Sequence, residues 1–200
     1  MKRVGLLVVV IACGSAAPPV HLSDEWPAKC GNYEAITTQW TRKGVLRGQY
    51  QEVLELAATF KSPEWRCAHA ELEADHRGLT GAARDQQLAQ AQADQKGAYE
   101  IELMITTWDR RENDLDKGTR SVWHVVLVDE KGNEVKPTEI VRDKRPAFTV
   151  RAEFPGLGDF AVPYIARFSH ETAVLGPNVR AVRLRMSSER GGVEVEWKAP

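Results

Sequence analysis

No apolar run in these 200 residues is long enough to cross a bilayer as a helix: the stretch 4–12 has nine residues, against the roughly 20 a span requires. An excess of one charge is also missing. With 27 Lys and Arg against 28 Asp and Glu, no overall field draws the chain to nucleic acid or to an anionic membrane surface, and neither partner is expected. Reaction signatures are absent too: there is no Gly-x-Ser-x-Gly elbow, no His-Glu-x-x-His and no phosphate-cradling glycine loop. Gly156-Leu157-Gly158 has too few glycines and no following helix, so it reads as a turn. His124 and His170 lie in strand-like stretches without partnered acids and read as structural. No cofactor and no catalytic set is expected, which points away from an enzyme. Cysteine is scarce, with three in all, so each one has to be accounted for.

The first is Cys13. Lys2 and Arg3 precede the short apolar run Val4-Gly5-Leu6-Leu7-Val8-Val9-Val10-Ile11-Ala12, the layout of an export signal. Val10-Ile11-Ala12-Cys13 resembles the lipobox of bacterial lipoproteins. There a branched apolar residue stands three before a cysteine, a small residue just before it, and the thiol accepts diacylglycerol. The resemblance implies cleavage before Cys13, acylation of that residue and anchoring in the cell envelope. Gly14 stands where Asp would retain the chain in the inner membrane, which implies the outer membrane if the host has two. The other reading is an ordinary secretory signal cut after Ala16 or Ala17, where Pro18 and Pro19 crowd the site.

Export exposes the remaining cysteines, Cys30 and Cys67, to an oxidising compartment in which such a pair normally joins. The expected role of the bridge is to staple a small helical region. Before that region, residues 13–29 read as the lipidated cysteine and a flexible tether, rich in Pro and small side chains. Residues 30–96 then read as helical. Tyr50, Val53, Leu54, Ala57 and Ala58 recur at helix spacing. Ser62-Pro63-Glu64 opens a second helix with a cap, a Pro at the first position and an acid in the first turn. Thr80 is expected to cap a third helix running to Gln95, which has little apolar surface beyond Leu88 and belongs on the outside.

Gly97 marks a change of period. Tyr99, Ile101, Leu103 and Ile105 alternate with Glu100, Glu102, Met104 and Thr106, and further strand candidates cover 121–129, 134–141, 148–154, 161–168, 179–186 and 193–197. About seven short strands over 97–200 suit an antiparallel β-sandwich of immunoglobulin-like type, making the chain α+β with its helices at the N-terminal side. The last two strands also specify a register. With 188–191 as the turn, Arg185 faces Glu194 and Arg183 faces Glu196 on one side, while Leu184 faces Val195 and Val182 faces Trp197 on the other.

Three constellations are candidate sites. His69, Glu73 and His76, spaced four and three apart on one helix face with Cys67 nearby, can in principle ligate a metal; the competing reading is a solvated, charge-laced helix. The loop 109–118 carries Asp109, Glu112, Asp114 and Asp116, hard oxygen donors of the kind calcium takes. Lys117 breaks the EF-hand spacing, however, and Arg110, Arg111 and Lys117 neutralise the loop, so an internally paired loop is the default. Trp108, where a strand meets that loop, is either core packing or a contact for carbohydrate or peptidoglycan; Trp123 and Trp197 are expected in the core. The combined expectation is a lipid-anchored envelope lipoprotein that binds or scaffolds another envelope protein without catalysis. The alternatives are a metal-binding protein or metalloenzyme using His69, Glu73 and His76, and a carbohydrate or peptidoglycan binder. Cys13→Ser is expected to abolish incorporation of labelled fatty acid and to release the protein from the membrane fraction.

Overall fold

A computed structural model of the chain describes residues 17–154, 156 and 158–200; the lipobox and Cys13 lie outside them. Nine antiparallel strands occur among the described residues, in two sheets. In chain order these are α1 (Tyr33–Trp40), β1 (Thr41–Arg47), β2 (Glu52–Phe60), α2 (Pro63–His76), α3 (Ala82–Asp94) and β3 (Tyr99–Thr107). Two short 3-10 turns, Arg110–Glu112 and Leu115–Arg120, lead to β4 (His124–Asp129), β5 (Glu134–Val135) and β6 (Pro137–Arg142). Then come α4 (Ala147–Glu153), β7 (Val162–Phe168), β8 (Ala181–Ser188) and β9 (Gly191–Lys198). One sheet has the order β1-β2-β3-β7-β6 and the other β5-β4-β8-β9.

The inner faces of both sheets share one core. Leu54, Leu56, Ala58 and Phe60 of β2 and Ile101, Leu103 and Ile105 of β3 meet Leu127, Leu184 and Trp197 from the other sheet. A second, smaller core lies on the outer face of the five-stranded sheet, where α1, α2 and α4 set Tyr33, Trp65, Ala68, Val150 and Phe154 against Ala57 and Met104. The sheets approach most closely where β1 runs beside β9. A side-chain carbon at Gly44 would stand 2.5 Å from Val193 Cγ2, so only glycine fits there without displacing β9.

Several expectations hold. Arg185↔Glu194, Arg183↔Glu196, Leu184↔Val195 and Val182↔Trp197 are the observed partners in the last hairpin. The ion pairs themselves converge on Glu194, which meets Arg183 at 3.1 Å and Arg185 at 3.0 Å. Ser62 caps α2, its hydroxyl accepting from the Trp65 N–H at 3.2 Å. Helix α3 buries none of its residues, as a surface helix should. Cys30 and Cys67 form a disulfide with their Cα atoms 5.2 Å apart, tying the segment before α1 to α2.

Other expectations are corrected. Residues 30–96 are not a helical region: β1 and β2 interrupt it, and β2 pairs with β3 across the expected boundary at 97. Strand β2 is buried on both faces, so its apolar run lacks alternation and matches helix spacing by composition alone. Helices are not confined to the N-terminal side either. Residues 147–153, overlapping the expected strand 148–154, are α4; its Val150 and the capping Phe154, four apart, are buried, while Phe148 is 77% exposed. The expected strand 134–141 is divided between the two sheets at Lys136. Thr80 does not cap α3, whose N-cap is Gly81 at φ +52, a left-handed conformation that glycine adopts readily.

The expected tether is, over its described part, docked rather than free. Val20 and Leu22 are 1% and 2% exposed within the main core, and the Val20 N–H donates to the Lys198 carbonyl at 2.9 Å. An alternating pair of branched apolar residues helps to seat this proline-rich segment against the body. Opening the disulfide with Cys30→Ser and Cys67→Ser together is expected to lower the unfolding free energy by about 4 kcal/mol, read from denaturant titration.

Candidate functional site

Six large apolar side chains are exposed among the described residues, and three of them, Tyr50, Trp108 and Phe160, line one cleft. Each is delivered by a different connection at the same end of the five-stranded sheet. Tyr50 sits in the β1–β2 turn, closed by the Gly48 N–H donating to the Gln51 carbonyl at 2.8 Å. Trp108 follows β3 directly, its N–H still donating to Val53 of β2 at 3.1 Å, so the ring leaves the sheet just beyond the last core residue. Phe160 precedes β7. The three are 86%, 71% and 74% exposed.

The cleft encloses about 600 Å³, and its floor is polar: Glu55 and Thr106 on the outer sheet face, Gln51 and Glu52 at the turn, and Arg110. The Arg110 guanidinium lies 5.5 Å from the centre of the Phe160 ring, a cation–π contact that keeps a hydrogen-bond donor at the rim. Glu52 and Glu55 stand close together, and the neighbouring Glu52 carboxyl is the main reason that Glu55 holds its proton above the usual carboxylate range, with burial adding to it. Exposed rings with an amide, two carboxyls and a guanidinium around them can stack on a flat apolar face and bond the polar groups at its edge.

Trp108 is thus not core packing: its side chain is exposed. Trp123 and Trp197 are buried, as expected. Tyr50 and Phe160 carried a usable signal that periodicity hides: each is an aromatic within a glycine-containing turn, with no core face to enter. Glu52 and Glu55 have no local signature in the sequence.

The calcium candidates are each engaged elsewhere. Asp109 holds Arg111, Glu112 meets Arg190 at 2.6 Å and Asp116 meets Arg142 at 3.1 Å. Asp114 is buried, accepting from the Ser121 hydroxyl at 2.9 Å. Asp109–Arg111 and Asp114–Lys117 pair within the loop, as expected, but Glu112 and Asp116 pair with arginines outside it, and the carboxylates diverge. The proposed metal face is likewise not assembled: among the described residues no group of three or more His, Cys, Asp and Glu side chains is placed to hold a metal ion. His69 stacks on the Trp65 ring at 4.8 Å, Glu73 accepts from Gln87 at 3.0 Å, and Cys67 is in the disulfide.

A second cluster of ionisable groups is sealed. Glu102, on the outer face of β3, is fully buried with Lys61 Nζ 3.0 Å from Oε2, and neither carboxylate oxygen accepts an aligned hydrogen bond. Burial pushes its carboxyl up to about 7 against the opposing pull of Lys61; the Asp143 carboxylate adds a further rise and Arg145 a further fall. Glu100, Asp143 and Glu153 around it are held low by Lys61, Arg66, Arg167, Arg145 and His69. The two kinds of shift act on stability in opposite directions. The contribution of Glu102 is fully present below about 4.5 and is lost as pH rises through about 7. That of the three depressed carboxyls is present at neutral pH and is lost on acidification. Glu102→Gln removes only the first effect. Relative to wild type, the variant is expected to gain about 1–2 kcal/mol of stability between pH 5 and pH 8 in urea unfolding, and no gain would contradict the buried titration.

The chain matches no protein-family model, and neither a curated protein nor a solved structure matches it.

Proposed function

We propose that this is a lipid-anchored envelope lipoprotein acting as a noncatalytic binding module, with the cleft of Tyr50, Trp108 and Phe160 as its ligand site and a saccharide as its ligand. The observation that carries the binding site is the convergence of three exposed aromatic rings from three separate connections on one polar-floored cleft. Isolated exposed aromatics are ordinary on a protein surface, whereas several gathered around a concavity mark a contact surface. The polar complement narrows the chemistry. A pyranose ring offers an apolar face for stacking and a rim of hydroxyls, and the Glu52–Glu55 pair, Gln51 and Arg110 provide matching donors and acceptors. Peptidoglycan and envelope polysaccharides are the saccharides an anchored envelope protein would meet.

The anchor rests on the lipobox-like stretch ending at Cys13, and the envelope, with the outer membrane where the host has two, follows from that resemblance. The oxidised Cys30–Cys67 pair is consistent with an exported chain. We read the two-sheet body as immunoglobulin-like in its layering, supported by two antiparallel sheets over one core; its first three strands form a consecutive meander, unlike the strand order of that fold.

Trp108→Ala is expected to weaken binding of soluble peptidoglycan fragments or envelope polysaccharide at least tenfold in calorimetric titration. Because the ring is exposed, the variant should unfold within about 0.5 kcal/mol of wild type. Undiminished saccharide binding by the variant would overturn the assignment; selective capture of an envelope protein, lost in the same variant, would move the site to a protein partner.

A further inference from the structure

The segment that follows the expected anchor is strapped to the flank where β1 meets β9, and Arg42 is the clasp. Arg42 is 4% exposed. Its Nε donates to the Glu196 carbonyl at 2.6 Å, one terminal nitrogen to the Gln39 carbonyl at 2.7 Å and the Thr41 carbonyl at 3.1 Å, and the other to the Pro18 carbonyl at 2.7 Å. Thus a buried cation spends its donors on backbone oxygens of α1, β1, β9 and the N-terminal segment. Burying a guanidinium in this way is costly unless those bonds are made, so loss of the Pro18 contact leaves a desolvated donor. Gln39 adds a bond to the Pro19 carbonyl at 2.9 Å, and Val20 and Leu22 are sunk in the core. The chain is therefore held from Pro18 onward.

We infer that the β1–β9 flank is the surface this protein lays against the lipid headgroups. This rests on the reading of Cys13 as the acylated residue. Three residues separate Cys13 from Ala17, and the four steps between them reach at most about 14 Å when fully extended. A free tether of the length the composition implies would let the body tumble at a distance; a strapped one keeps the exit point near the bilayer surface. The exit point lies on the flank, beside Lys43 and Glu194, and not at the far side of the body. The opposite flank, formed by β6 and β5, is four strand spacings away across the five-stranded sheet, about 19 Å. The charge of the strapped flank suits a zwitterionic layer: exposed Lys43 and Lys198 are balanced by exposed Glu194 and Glu196, with no attraction for anionic lipid.

The test uses the full acylated chain on vesicles of zwitterionic phospholipid carrying an energy acceptor on the headgroup. A donor fluorophore is placed on Lys43→Cys or, in a second protein, on Lys136→Cys at the opposite flank. Transfer from position 43 is expected to be at least twice as efficient as from position 136. Ten Gly and Ser residues inserted between Ala17 and Pro18, which leave Arg42 and the core untouched, should bring the two efficiencies together. Equal transfer from both positions in the vesicle-bound parent, or a difference that survives the insertion, overturns the orientation and leaves the anchor standing. Failure of the parent to bind vesicles unless Cys13 is acylated supports the anchor; failure to bind even when acylated overturns both.

Discussion

Strand β3 is held between two cores, and most of the architecture follows from that. Its inward side chains, Ile101, Leu103 and Ile105, are fully buried against the second sheet, while Met104 on the outer side meets the helical layer. A strand with both faces covered needs neighbours on both edges to satisfy its backbone, and β2 and β7 provide them along nearly its whole length. Burial on two sides also forces a choice at position 102. A carboxylate there has no route to water, so it is matched by Lys61, and the surrounding Asp143, Arg145 and Glu153 lock the connection before α4 onto the same spot. The ionic cluster reads as the cost of placing a charged residue in a doubly covered strand.

The ends of the same strands define the surface. Where β2 and β3 run out of core, their connections carry aromatics with nothing to pack against, and the cleft appears at that boundary. Its three rings belong to connections that spring from the ends of paired strands, so the sheet sets where each ring emerges. The helical layer contributes no residue to the cleft. Its stapling by Cys30–Cys67 serves the second core, keeping Tyr33 and Trp65 in place on the outer sheet face, 5.8 Å apart.

Much of this was legible residue by residue. Alternation in 99–107 and the charge-complementary pattern in 181–198 specify strands and a register, because a slip by one residue would bury arginines and expose Trp197. The cap before α2 follows from Ser62-Pro63-Glu64 without any tertiary information. Illegible stretches share one cause: β2 lacks alternation because both its faces are buried, and α4 has only seven residues, too few to show a helical period. Trp108 could be read as an outlier, but Tyr50 lay in a misassigned helix, so the cleft could not be assembled from sequence.

Alone, the amino-acid order determined local choices: caps, alternation, the last hairpin, the lipobox-like stretch and the availability of two cysteines for one bridge. Those depend on neighbours within a few residues or on the residue types present. Tertiary structure decided which apolar runs became strands, where the proline-rich N-terminal segment docked and which exposed aromatics met. Those outcomes depend on pairing across the sheets, as when Gly44 lets β1 close on β9 and Arg42 finds carbonyls from four separate segments. Such partners are distant in sequence, and only the folded chain brings them within hydrogen-bonding reach.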